Sequence, residues 1–151
     1  MNKSLTFLVL SIFVLINIHS AFASEIIVSN STELQNAINN VQGGDTISLL
    51  SGDYGNLLIS GKNNSSTVTI RAGNGATPIF SSVRIRNSSY WDLVGVHIKP
   101  RYSSGADGSK AVDLNGNYLT VKDCIINYSD DIFGWSKADW VARAGNGIIM
   151  E

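Results

Sequence analysis

The chain has 151 residues, with 11 Lys+Arg against 12 Asp+Glu, 14 glycines and one cysteine. That length accommodates one domain. A formal net charge of −1 excludes the strong basic excess that non-specific nucleic-acid binding requires, and the single cysteine, Cys124, excludes an internal disulfide.

The first 23 residues read as a leader. Lys3 gives a positive start, residues 5–18 are an apolar run, and Ala21-Phe22-Ala23 is a small-x-small cleavage motif. This pattern predicts a secretory signal peptide over 1–23, cut before Ser24. The apolar run is short for a bilayer, and Asn17 and His19 end it, so no membrane span is expected once the leader is removed. Without Lys3 the remaining chain has 10 Lys+Arg against 12 Asp+Glu. The expected location is secreted, periplasmic or at the cell surface. An exported chain without a disulfide must hold together by packing.

A first strand or lead-in is expected at Glu25-Ile26-Ile27-Val28. Next, Thr32-Glu33-Leu34-Gln35 fits a capping box with Thr32 as N-cap and Gln35 at N3. Leu34, Ala37, Ile38 and Val41 follow the i, i+3, i+4, i+7 spacing of a one-sided helix, and Gly43-Gly44 is placed to end it. A helix at this point can cover the open end of a stack of strands.

From Asp45 onward one short phrase recurs: Ile47-Ser48-Leu49, Val68-Thr69-Ile70, Trp91-Asp92-Leu93 and Leu119-Thr120-Val121, at steps of 21, 23 and 28 residues. Two apolar residues bracket a polar one, as in a strand with one buried face. A second series, Leu57-Leu58-Ile59, Val83-Arg84-Ile85, Val112-Asp113-Leu114 and Ile148-Ile149-Met150, recurs between the first at steps of 26, 29 and 36. Each repeat therefore carries at least two short strands, with Gly-, Asn- and Ser-rich corners between them. No helical stretch lies between the strands. A chain that returns to the same place every 20–30 residues predicts an all-β solenoid, a right-handed parallel β-helix capped by the N-terminal α-helix. In this register Ser48, Thr69, Asp92 and Thr120 form one outward column, Arg84 and Asp113 pair across adjacent strands, and Trp91, Leu93, Leu119 and Val121 are core. Cys124 is expected as a small buried residue, with His97 on the opposite face of the neighbouring repeat.

Two longer segments interrupt the repeats. Residues 100–110 are rich in Gly and Ser. Residues 129–147 hold Trp135, Trp140, Asp139 and Arg143. Insertions of this kind project from one side of a solenoid, often its binding side. Two tryptophans suited to stack on sugar rings, beside one acid and one arginine, make these four residues the candidate substrate-binding set. No catalytic residue is assigned. The closing residues, Gly147-Ile148-Ile149-Met150-Glu151, read as the start of a further strand. Residues 24–151 are therefore expected to be the N-terminal part of a longer β-helix, with any active site in later coils.

The helix phrase Thr32-x-Leu34-Gln35-x-Ala37-Ile38, then Gly43-Gly44-Asp45-Thr46-Ile47-Ser48-Leu49, then Ser51-Gly52-Asp53-Tyr54, resembles the opening of the pectate-lyase-like right-handed β-helix superfamily. The later phrases around Val68 and Leu119 resemble its subsequent coils. The resemblance implies the fold directly. It also implies an exported carbohydrate-active protein, a polysaccharide lyase or glycoside hydrolase, with polysaccharide or cell-surface glycan as partner and Ca2+ as the metal of its lyase members. No residue here matches their catalytic or calcium-binding positions. The sequence itself shows no metal-ligand spacing or cofactor motif. The alternative reading is a non-catalytic surface, adhesion or structural protein of the same fold.

Overall fold

The computed structural model describes residues 23–100 and 111–127, and the backbone of 148–150. Among them nine strands join in one sheet: β1 (Glu25–Val28), β2 (Thr46–Leu49), β3 (Gly52–Ser60), β4 (Asn63–Ala72), β5 (Pro78–Val94), β6 (His97–Ile98), β7 (Val112–Lys122), β8 (Ile125–Ile126) and β9 (Ile148–Met150). A single helix, α1 (Ser31–Asn40), follows β1. Every described strand pairing is parallel. The described residues are therefore all-β apart from one short helix, as the alternating phrases predict.

The pairings run in three columns, one more than the sequence phrases reveal. The first passes through Ile26, Ile47, Ile70, Leu93 and Val121. The second passes through Asp53, Ile79, His97 and Ile125. The third passes through Leu57, Val83, Val112 and Ile148. Strands β6 and β8 have two residues each, too short to show an alternation of their own. Inward residues of all three columns meet in one core cluster, among them Ile47, Ile70 and Leu93 from the first, Phe80 and Ile98 from the second, and Val83 and Val112 from the third. Burying side chains of this size contributes about 1.5–3 kcal/mol each.

The third column has the predicted register throughout. The first needs one correction. Thr69, Asp92 and Thr120 do share a column, but Ser48 stands opposite Arg71, and it is Thr46 that faces Thr69. A slip of two residues keeps every side chain on its own face, so a period-two pattern cannot detect it. The true register is fixed by backbone bonds at the strand ends: Thr69 N–H donates to Asp45 O at 3.0 Å and Gly73 N–H to Leu49 O at 2.8 Å. Trp91 and Leu93 are fully buried, whereas Leu119 and Val121 are partly buried and pack against the core.

The helix begins and ends earlier than predicted. Its N-cap is Asn30, whose Oδ1 accepts from Glu33 N–H at 2.9 Å. Glu33, not Gln35, occupies N3, and its carboxylate accepts from Ser29 N–H at 2.7 Å. Asn caps better than Thr, and Glu33 answers it at the required spacing. At the other end Val41 turns extended while its N–H still donates to Ala37 O at 2.9 Å, so the helix stops before Gly43-Gly44. Leu34, Ala37 and Ile38 are buried against the core, and α1 packs chiefly on β1, β2 and β3. Tyr54 completes this end of the core. Its ring is buried, and its hydroxyl lies 2.8 Å from Val28 O and 3.0 Å from Leu50 O, tying β1 to the turn after β2.

The corners between the third and first columns in β5 and β7 are bends within paired strands, not breaks. Strands β5 and β7 run through theirs, with Ser88 opposite Gly116 and Ser89 opposite Asn117. Both longer segments of the sequence leave from one corner: each departs after the second column, at β6 and at β8, and returns at the third, at β7 and at β9.

Candidate functional site

Trp135, Trp140, Asp139 and Arg143 lie outside the described residues. What the structure describes is the outer surface of β5 and β7, where two clusters sit.

The first cluster is a pair of tyrosines. Tyr90 and Tyr118 lie at the corner between the third and first columns, on adjacent strands. Their ring centroids are 4.4 Å apart with an interplanar angle of 13°, a stacked pair. Tyr118 is 69 % exposed, so one broad aromatic face meets solvent. Both residues have left-handed backbone, with φ of 64° and 55°. That region costs a residue with a side chain about 1–2 kcal/mol. It serves a purpose here. Ser88 and Trp91 both point inward, and the two residues between them would break strict alternation. The left-handed residue resets the alternation and turns its own ring outward. Phenol ionisation at Tyr90 is pushed up by partial desolvation first, then by the neighbouring Tyr118 phenol.

The corner beneath the rings is rigidly made. Trp91 Nε1–H donates to Lys62 O at 3.0 Å, Ser89 N–H to the same oxygen at 3.1 Å, and Lys62 N–H to Ser88 Oγ at 3.1 Å. Asn64 Nδ2 donates to Tyr90 O at 3.4 Å. Gly116 lies directly on Ser88: a Cβ there would stand 1.9 Å from Ser88 O.

The second cluster is ionic and lies on the third column. Arg84 and Asp113 are opposite one another, as predicted. The ion pair at Asp113 is nonetheless formed by Arg86, two residues further on and on the same face. Arg86 Nε donates to Asp113 Oδ2 at 2.9 Å, and its Nη2 reaches the same oxygen. Arg84 Nε is enclosed and has no hydrogen-bond partner among the described residues. Two arginines thus share one face of β5 opposite a single aspartate, and only Arg86 bonds it. Arg86 and Tyr90 are four residues apart on β5, at most about 13 Å along the strand.

A third group marks the far end of the first column. Glu25 Oε1 accepts from Arg71 Nη2 at 2.7 Å and from the buried Ser48 hydroxyl. The Ser48 bond, followed by the Arg71 charge, holds the Glu25 carboxyl below its ordinary range. Cys124 is half-buried, with its thiol facing Lys122 O at 3.3 Å and Leu93 O at 3.7 Å, and burial pushes its ionisation up. It is a packed thiol, not an activated nucleophile. Among the described residues no group of three or more His, Cys, Asp or Glu is arranged to hold a metal ion, and no helix is long and apolar enough to cross a membrane.

The tyrosine pair was within reach of the sequence. Tyr90 and Tyr118 open two copies of the same phrase, 28 residues apart. Arg86 was legible too, since Arg84-x-Arg86 puts both arginines on one face of a strand. Comparison with protein-family models, with curated proteins and with solved structures gives no match.

Proposed function

We propose that the chain is an exported, right-handed parallel β-helix of the pectate-lyase-like kind that binds polysaccharide on the outer surface of β5 and β7. Three recurring parallel columns around one shared core support the winding. Right-handed connection is the rule for parallel strands. The observation that carries the binding is the Tyr90–Tyr118 stack, with its outer ring 69 % exposed on a hydrogen-bonded corner. A flat, rigid aromatic face presents apolar area to the C–H face of a sugar ring with little ordering cost. Strained backbone held by its surroundings is characteristic of binding positions. Arg84 and Arg86 favour glycans carrying acidic groups, because guanidinium donors match carboxylate and sulfate geometry. Trp135, Trp140, Asp139 and Arg143, outside the described residues, stay candidate sugar contacts by residue type alone.

Affinity electrophoresis of the exported protein in gels containing neutral or acidic polysaccharides tests this. Retardation by an acidic polymer is expected, and Tyr118→Ala should weaken it about tenfold, the equivalent of roughly 1.4 kcal/mol. Unretarded migration in every polymer, or equal retardation of the variant, overturns the reading. Appearance of shortened, unsaturated products in the same incubation would extend it from binding to cleavage.

A further inference from the structure

The most telling polar contact outside the β5–β7 surface lies where the leader would end. Ser24 N lies 2.9 Å from Asp45 Oδ1, and the Ser24 hydroxyl donates to the same oxygen at 2.9 Å. Ser24 O accepts from Thr46 N–H at 2.8 Å, which pins the residue onto the edge of β2. The other oxygen of Asp45 accepts from Gln42 N–H at 2.8 Å. Asp45 is thus a carboxylate surrounded by donors at the turn after α1. Ala23 and Ser24 are both exposed, so the bond between them is open to a peptidase, and Ala21-Phe22-Ala23 is the small-x-small sequence such a peptidase reads.

We propose that Ser24 is the first residue of the working protein and that its α-ammonium docks on the Asp45 carboxylate. A signal-type peptidase adds water across the Ala23–Ser24 peptide bond. The leader departs with the Ala23 carboxylate, and the Ser24 nitrogen gains protons to become an ammonium. The atom 2.9 Å from Asp45 is the same before and after. Its character changes: one amide N–H becomes a cationic group with three, and a neutral donor becomes half of an ion pair. Charge-assisted bonds of this kind are about twice as strong as neutral ones. Cleavage one residue earlier or later would put the charge elsewhere, so the geometry selects this bond. Asp45 is already held below the usual carboxylate range, by Gln42 N–H first and Ser24 N–H second. The other charged groups nearby are engaged: Glu25 on β1 with Ser48 and Arg71, and Glu33 on α1 with Ser29. The docked ammonium has its pKa raised. Its stabilisation is present below the unfolded α-amino value, about 7.7–8.0, and is lost as pH rises through the folded one.

The test uses the full chain in an exporting host. Intact mass should place the start at Ser24. The α-amine pKa, read from pH-dependent N-terminal labelling, should exceed the ordinary value by more than about half a unit, the usual spread for chain N-termini. It should fall back in Asp45→Asn. Since Asp45 also binds Gln42 N–H, a chain begun at Ala23 serves as the second comparison: it keeps Asp45 but moves the ammonium away, and its pKa should be ordinary. A start at another residue, or an N-terminal α-amine that titrates alike in all three proteins, overturns the proposal.

Discussion

Arg86 reaches diagonally across the third column to the carboxylate of Asp113, past Arg84, which stands directly opposite. The reach follows from stem length. Strands in register are about 4.8 Å apart, and a neighbour two residues along lies about 7–8 Å away, well within an arginine's span. Asp113 is largely covered, while Arg86 is half exposed, so solvent screens the pair from one side only. A double-mutant cycle with Arg86→Ala and Asp113→Ala should give a coupling of about 0.5–1 kcal/mol by chemical denaturation. The same cycle with Arg84→Ala should give less. Reversal of that order would show that the directly opposed pair, not the diagonal one, carries the interaction in solution.

Two glycines with unusual backbone separate strain from collision. At Gly116 an added Cβ meets Ser88 O at 1.9 Å, with Ser88 C and N at 3.0 and 3.2 Å. These are backbone atoms of a paired strand, and none can swing aside. Gly116→Ala should cost about 3 kcal/mol or more, through overpacking at a site that cannot relax. At Gly55 φ is 65° and nothing lies within 4 Å of the added carbon. Gly55→Ala should cost only the left-handed backbone, about 1–2 kcal/mol. Thermal or urea unfolding of both variants decides this. Equal losses would mean that the β5–β7 corner gives way more readily than its bonds allow.

Much of this fold was legible because its signal is repetition. The register of the third column is legible down to single residues, since Leu57, Val83, Val112 and Ile148 each open a three-residue phrase that begins and ends apolar. The second column escaped because Ile79-Phe80, His97-Ile98 and Ile125-Ile126 are too short to carry a period. The two-residue slip at Ser48 escaped because both registers bury the same faces. The helix cap was misplaced because Asn30 and Thr32 each have an acidic or amide partner three residues on. Register favours Arg84, directly opposite Asp113, and gives no sign that the diagonal Arg86 on the same face forms the bond instead. The tyrosines were seen only as the first letters of a phrase: nothing in a single sequence says that a Tyr will take a left-handed conformation.

Acid should loosen the first repeat before the rest. Glu25 and Asp45 both have folded-state pKa values below their ordinary 4.5 and 3.8, Glu25 through the Ser48 hydroxyl and then Arg71, Asp45 through Gln42 N–H and then Ser24 N–H. A depressed carboxylate stabilises the fold above its unfolded pKa, and that contribution disappears as pH falls through the folded value. The melting temperature should therefore hold down to about pH 5 and drop below about pH 4. Ser48→Ala removes the largest cause at Glu25 and should flatten the part of the drop that belongs to it. Hydrogen exchange should report the earliest opening at β1 and α1. A drop that is unchanged in Ser48→Ala would place the acid-sensitive groups elsewhere.

The tyrosine corner allows stability and binding to be pulled apart at one residue. Tyr118→Ala deletes the ring stack, worth about 0.5–1.5 kcal/mol, and keeps the left-handed strain. Tyr118→Gly deletes the stack as well but relieves a strain of about 1–2 kcal/mol, against an unfolded-state entropy cost of about 0.5–1 kcal/mol. The glycine variant should therefore be at least as stable as the alanine variant, and within about 1 kcal/mol of the parent, an inversion of the usual order in a strand. Both should lose the sugar-stacking face to the same extent. Paired unfolding curves and affinity gels read the two effects separately. If alanine proves the more stable, the backbone at 118 is not held left-handed in solution, and the reason for aiming that ring outward falls with it.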